Sequence, residues 1–231
     1  MRIGIIGAMD NEVSVLREHI NEEKVNVLGF DFYIGEINGN EVILSKSGVG
    51  KVNAAILTTL MVREFEVDFI LNTGIAGGYK IACETIVLAD VISYNDADAS
   101  GFGYKPGQIP GMPYEFLPSP EYRLMIKKVL NNLGLEFSEC KIYSGDQFVT
   151  STEKILSFDP TKSCAFEMEG AAIAHTCIKL GVDFVILRFI SDDVLSPNQE
   201  NDYMTFEQKM SNLSADICLK VLNQLSWNIM L

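Results

Sequence analysis

Histidine is scarce in this 231-residue chain: only His19 and His175 are present, and neither stands at a metal-ligand spacing. The expectation is an enzyme or binding protein with no metal and no cofactor. The five cysteines (Cys83, Cys140, Cys164, Cys177 and Cys218) are odd in number and form no CxxC pair. That pattern argues against a disulfide framework and against a compact zinc site, leaving buried reduced thiols. Cations are also few, with 18 Lys and Arg against 31 Asp and Glu, a net charge of −13. A surface of that sign has little with which to displace nucleic-acid counterions, so no nucleic-acid partner is expected. No uninterrupted apolar run reaches the roughly 18 residues of a spanning helix, and no charged leader precedes an apolar segment. No membrane association and a cytoplasmic location are the corresponding expectations.

What the chain does contain is enough apolar surface for one sizeable core. Residues of hydrophobic type make up 48% and charged residues 21%, a balance that offsets ordering entropy by burial. Arg2 to Gly7 reads as a buried strand leading into a polar helix with Asp10, Glu12 and Arg17. Short strands follow at 25–27, 30–37 and 41–46, with Asn38-Gly39-Asn40 marking a hairpin. A helix over 51–66 then feeds Val67 to Asn72, whose continuous apolarity suits a strand covered on both faces. Another strand is expected within 84–93. The Gly- and Pro-rich stretch from Tyr94 to Pro120 reads as a long loop, and a loop of that length invites a functional explanation.

Helical spacing returns at 121–133, a strand ends at 141–144, and a short helix is expected over 151–156. A small-residue helix over 168–180 precedes a second continuous apolar strand, 182–190. Tyr203, Phe206, Met210, Leu213, Ile217, Val221 and Leu225 then form one apolar face of a last long helix. No repeat or linker divides the sequence. The pattern gives a single domain over residues 1–231, a three-layer α/β/α fold with a mixed central sheet.

Two glycine-bearing segments, Ser47-Gly48-Val49-Gly50-Lys51 and Thr73-Gly74-Ile75-Ala76-Gly77-Gly78, read as loops after strands that could cradle an anion or a ribose. Neither matches a phosphate-binding P-loop or GxGxxG. Four carboxylates are candidates for chemistry: Glu12, Glu167, Glu169 and Asp192. Each also has a plainer reading, respectively a solvated helix residue, an ion-pair partner, a helix-cap contact and a turn cap. Burial at a strand end would tune such groups for proton transfer.

Taken together, Gly4-Ile5-Ile6-Gly7-Ala8-Met9 with Glu12, Lys46 to Lys51, Asn72 to Gly78, Ser144-Gly145-Asp146-Gln147-Phe148, Phe166-Glu167-Met168-Glu169-Gly170-Ala171-Ala172 and Arg188-Phe189-Ile190-Ser191-Asp192 occur in a telling order. Along essentially its whole length the chain resembles the 5′-methylthioadenosine/S-adenosylhomocysteine nucleosidases of the nucleoside phosphorylase superfamily. The resemblance implies hydrolysis of the N9 to C1′ bond of an adenine thioribonucleoside. It assigns Glu12 to activating water, Asp192 to protonating purine N7 and Glu169 to the ribose hydroxyls. Met168 would pack under the ribose and Phe148 against adenine, with the backbone of Phe148 and Val149 reading the base. Met9, Val49, Ile75, Ala76, Gly77 and Glu167 complete the expected substrate-binding set, and Tyr203 would close it.

Phe102, Tyr104 and Pro110 resemble the segment that reaches the 5′-alkylthio pocket of a partner subunit, which implies a homodimer. Three features depart from the family pattern, one being the length of the stretch to Tyr203, which differs by about one residue. Ile75 stands where many members carry Ser, and Asp193 adds an acidic neighbour to Asp192. Three alternatives stay open: a phosphate-dependent nucleoside phosphorylase, a nucleosidase acting on 6-amino-6-deoxyfutalosine, and a noncatalytic nucleoside-binding protein. A phosphorylase would require a more cationic site, yet the chain has only five arginines, and Asn72 and Thr73 rather than Arg precede Gly74.

Overall fold

The computed structural model describes residues 1–20, 22–153, 155 and 157–225. Nine strands and five α-helices follow one another in these residues: β1 (Arg2–Gly7), α1 (Asp10–His19), β2 (Glu23–Val27), β3 (Phe30–Ile37), β4 (Asn40–Lys46), α2 (Lys51–Phe65), β5 (Phe69–Tyr79), β6 (Ile86–Tyr94), α3 (Pro120–Asn132), β7 (Phe137–Ser144), β8 (Cys164–Glu167), α4 (Gly170–Leu180), β9 (Asp183–Asp193) and α5 (Gln199–Gln224).

Strand periodicity decides which helices cover which face. Ile3 and Ile5 of β1, Phe69 and Leu71 of β5, and Val185, Leu187 and Phe189 of β9 share one core with α1, α3 and α5. The alternate residues Ile6, Ile70, Ile186 and Ile190 share the other with α2 and α4. Because side chains leave a strand on opposite faces in turn, a sheet buried on both sides needs apolar residues in both phases. That requirement explains the unbroken apolar runs of β5 and β9 and yields the expected three layers.

The sheet is mixed, in the order β2-β3-β4-β1-β5-β8-β7-β6-β9, and β9 returns to pair with β5. β5 is long enough to serve two neighbourhoods. Its first half runs parallel to β1 (Phe69–Asn72 beside Ile3–Ile6), and its last residues pair antiparallel with β8 (Gly77–Tyr79 beside Phe166–Cys164). Along its other edge it runs parallel to β9 from Phe69 to Gly78, with an irregularity between Ala76 and Gly77. Strands β5, β8, β7, β6 and β9 thereby close into a ring, and β1 to β4 extend from it as a flap of sheet.

Three expectations change. Thr73 to Gly78 is not a loop but the second half of β5, stabilised by the β8 and β9 ladders on either edge. Of the stretch 151–156, Ser151 to Glu153 and Ile155 are described and none of them is helical, with Ile155 donating to the Thr152 carbonyl and Phe158 to that of Ile155; Lys154 and Leu156 lie outside the described residues. Strand β8 has no counterpart among the expected elements. It is only four residues long and fully buried, too short to show a period. Between the end of β6 at Tyr94 and the start of α3 at Pro120, the chain makes one 3₁₀ turn, Ser100–Phe102, and one β-bridge, from Phe116 to Ile92, and is otherwise irregular.

Candidate active site

Glu12 sits in the first turn of α1, and its carboxylate folds back on the chain that enters the helix. Oε2 accepts the backbone N–H groups of Ala8 at 2.6 Å and Met9 at 3.0 Å, as a third-position Glu does for a helix N-terminus. Oε1 accepts a third N–H, from Ile75 of β5, at 3.0 Å. The side chain is buried, not solvated. Burial pushes its carboxyl above the ordinary value, against the opposing pull of Arg188 and the three amides. Gly74 makes the approach possible: a Cβ there would stand 2.5 Å from Oε1.

The second carboxylate group surrounds Arg188, a lone cation in the apolar run of β9. Its phase directs it to the same face as Asn72 of β5 and Glu167 of β8. Nη2 donates to the Asn72 amide oxygen and to Glu167 Oε2, both at 2.6 Å. Glu167 also accepts the N–H groups of Glu169 and Gly170 and the hydroxyl of Ser144, so it is an ion-pair partner that anchors the start of α4. Glu169 lies 4.0 Å from Arg188 and accepts the Gly50 N–H at 2.9 Å. Burial first, and the nearby Glu167 carboxylate second, push its carboxyl up to about 8.

Asp192 lies near the end of β9 and is 1% exposed. Oδ1 accepts the Ser191 hydroxyl at 2.6 Å and Oδ2 accepts the Gln199 side-chain amide at 2.8 Å. Burial raises its carboxyl, with Asp202 and Asp193 adding to the rise and the two hydrogen bonds opposing it. Gly77 leaves room for it, since a Cβ would stand 2.9 Å from Oδ2. Asp193 plays a different part, accepting the Leu195 N–H and beginning the turn that follows the strand.

One cavity of about 110 Å³ collects these groups. Met9, Glu12, Val49, Ile75, Ala76, Gly77, Phe148, Glu167, Met168, Glu169, Asp192 and Tyr203 all line it. Tyr203 meets Phe148 edge to face, ring centroids 5.4 Å apart, and its hydroxyl faces the Met9 sulfur at 3.7 Å. Val149 is buried and does not line the cavity, and neither do Phe102, Tyr104 or Pro110. Those three are exposed, Phe102 by 88% and Tyr104 by 36%, so Phe102 does not pack within its own subunit while most of Tyr104 is covered there. The glycine segments also differ from an anion cradle awaiting a ligand. The Ile75 and Gly50 amides already hold Glu12 and Glu169, and the Lys51 amide holds Asp146. Among the described residues no cluster of three or more His, Cys, Asp or Glu could hold a metal, and no helix is long and apolar enough to cross a membrane.

Residues 2–223 match the family model described as the phosphorylase superfamily. A 5′-methylthioadenosine/S-adenosylhomocysteine nucleosidase of Staphylococcus saprophyticus is 42% identical over 195 residues, covering 82% of this chain and 86% of that one. The chain belongs to this nucleosidase family of the phosphorylase superfamily. An S-adenosylhomocysteine nucleosidase of Streptococcus pyogenes, solved with 5-methylthiotubericidin, superposes with a TM-score of 0.90 at 34% identity, over 98% of each chain. A mutant futalosine hydrolase of Helicobacter pylori is similarly close, with a TM-score of 0.91 at 31% identity over 97% of this chain and 100% of that one.

Within this nucleosidase-family site, several residues are not singled out by sequence. Ala8, Phe166 and Ser191 line the cavity, Ser144 and Arg188 hold the Glu167 carboxylate, Asn72 accepts from Arg188, and Gln199 reaches Asp192 from α5. Arg188 carries a readable signal, because a single cation within a strand covered on both faces must find a buried partner. Gln199 carries none. It is one polar residue in a polar helix start, and only the return of the chain over the site gives it a partner.

Proposed function

We propose that this protein hydrolyses the N-glycosidic bond of 5′-methylthioadenosine and S-adenosylhomocysteine, releasing adenine and 5-methylthioribose or S-ribosylhomocysteine. The observation that carries this reading is the convergence of Glu12, Glu169 and Asp192 on one cavity, behind which the buried Arg188 guanidinium is already committed to Glu167. Glu12, with a raised pKa, takes a proton from water as the water oxygen bonds to C1′. The N9 to C1′ bond breaks, its electron pair passes to the purine, and Asp192 delivers a proton to N7. Adenine leaves neutral, and C1′ retains the hydroxyl from water. Proton exchange with solvent resets both carboxyls. Glu169 binds the ribose hydroxyls, Met168 packs under the sugar, Phe148 packs against adenine, and Tyr203 closes the 5′ pocket from α5.

Water fits this cavity better than phosphate. A phosphate nucleophile carries negative charge that requires unpaired donors or cations, whereas the nearby backbone amides hold the protein's own carboxylates. Incubation of the purified protein with methylthioadenosine tests the reading. Adenine and free methylthioribose should form at equal rates with and without phosphate; formation of a sugar 1-phosphate that depends on phosphate would overturn it. The resemblance to the Helicobacter pylori futalosine hydrolase makes 6-amino-6-deoxyfutalosine a second substrate to assay, since it keeps adenine and ribose and alters only the 5′ extension.

The assembly belongs to the same proposal. Val52, Ile56 and Ile178 expose apolar side chains on α2 and α4, and Phe102 and Tyr104 are exposed as well. A homodimer would cover this surface and bring Phe102, Tyr104 and Pro110 to the partner's 5′ pocket. A monomer by sedimentation at assay concentration with full activity would count against it. A cytoplasmic location belongs to the same reading, supported by free thiols that suit a reducing compartment.

A further inference from the structure

Between Asp192 and Gln199 the chain turns back on itself through local side-chain contacts. Asp193 accepts the N–H of Leu195 and the Ser196 hydroxyl that of Asn198, each two residues on, contacts of the kind that fix tight turns. The Val194 N–H is held by the Gly78 carbonyl. Gln199, first residue of α5, is thereby delivered against β9 and is 5% exposed. Its Nε2 lies 2.8 Å from the Val149 carbonyl and 2.8 Å from Asp192 Oδ2.

The chemistry of the acceptors fixes the orientation of this amide. A backbone carbonyl can only accept, so nitrogen rather than oxygen must face Val149, and the second proton of the same nitrogen points at Asp192. Both protons are used. Val149 belongs to the segment assigned to reading adenine, and Asp192 to the protonation of the same ring. We propose that Gln199 is a positioning residue that spaces the proton donor from the base-reading backbone, so that the two move as one body. This rests on the adenine nucleosidase reading above. Gln199 does not line the cavity and acts through its two partners.

The other groups around Asp192 cannot hold that spacing. Ser191 precedes it on the same strand, and its hydroxyl otherwise faces only the Ala76 carbonyl of β5, not the Val149 segment. Asp193 and Asp202 bring like charge, and Cys83, Tyr203, Glu12 and Glu169 belong to other edges of the site. Gln199 alone of its hydrogen-bonding neighbours also holds the segment that follows β7. Loss of either contact would let donor and purine drift apart, and misplacement on the ångström scale is expensive in rate.

Gln199→Met keeps the shape and removes both protons; Gln199→Glu keeps the shape and leaves at most one. The Asp192 carboxyl is followed by carbon-13 NMR in the ligand-free protein, and adenine release is followed across pH. In Gln199→Met the Asp192 titration should move to higher pH, because a donor to its ionised form is gone. The kcat should fall about ten- to a hundredfold with KM changed less than about threefold. Gln199→Glu should move the titration further up, through like charge, and recover part of kcat at low pH, where its carboxyl can donate one proton. An unmoved Asp192 titration in both variants, or a loss of thermal stability with unchanged kcat, would overturn the proposal. If the wild-type protein releases no adenine, the nucleosidase reading fails, while the NMR shift still decides whether Gln199 holds Asp192.

Discussion

A Cβ on Gly74 would stand 2.5 Å from Oε1 of Glu12, and the next residue, Ile75, donates its N–H to that same oxygen at 3.0 Å. The glycine and the amide are two parts of one device: the first leaves space for the carboxylate and the second fills it with a donor. Gly74→Ala should therefore displace Glu12 while leaving the rest of β5 paired. The expected outcome is a loss of kcat of about a hundredfold with a melting temperature within a few degrees of wild type. Steady-state kinetics alongside a thermal melt checks it, and wild-type turnover would show that Glu12 needs no such placement.

Asp192→Asn removes the proton that the purine is to receive while preserving shape and the capacity to accept from Ser191. Nucleoside binding should persist, and single-turnover adenine release should slow by about 10²- to 10⁴-fold. The raised pKa of Asp192 sets the pH dependence in wild type: the acid stays protonated above the usual carboxylate range, and activity falls as pH rises past its titration. That alkaline limb should be missing from the residual activity of the Asn variant. A limb of the same position in both proteins would assign it to another group.

Most of the architecture is readable from sequence because each layer depends on a local signal. The alternation of Ile3 and Ile5 with Ile6, or of Val185 and Leu187 with Ile186, needs no tertiary knowledge to be recognised as a strand covered on both faces. The carboxylates of the site are readable for a different reason, through the place of Glu12 after the first strand and of the others in the Glu-Met-Glu and Ile-Ser-Asp segments. The glycine-rich half of β5 is where the sequence misleads. Glycine in a strand imitates a loop, and only the carboxylates of Glu12 and Asp192, brought in from distant positions, explain why Gly74 and Gly77 are there. Gln199 shows the same limit from the opposite side, since its partners Val149 and Asp192 are 50 and 7 residues away.

Arg188 and Glu167 form a pair in which both side chains are 2% exposed, at 2.6 Å. Removing one partner strands the other as an uncompensated buried charge. Arg188→Met should cost about 3–5 kcal/mol of stability, also leaving the Asn72 amide oxygen without its donor. Adding Glu167→Gln should recover part of that loss, since the leftover charge is then gone and the Gln oxygen still accepts from Gly170. Urea unfolding of both variants measures the recovery. A double variant as unstable as the sum of the two single changes would mean that the pair is not coupled in folding.

Glu169 makes the opposite prediction for stability. Its carboxyl is raised from 4.5 to about 8, chiefly by burial, so the folded state prefers it protonated while the unfolded chain ionises it earlier. As pH rises from about 4.5 to about 8 the unfolded state releases a proton that the folded state keeps, and stability is lost across that window. Glu169→Gln retains an acceptor for the Gly50 N–H and cannot ionise. The ligand-free variant should therefore melt near wild type at pH 4.5 and increasingly above it toward pH 8, each 1 kcal/mol appearing as about 2–4 °C. Activity should fall in the same protein, since the ribose contact loses its carboxylate. A melting difference independent of pH would show that Glu169 is ionised throughout and that Arg188, at 4.0 Å, outweighs its burial.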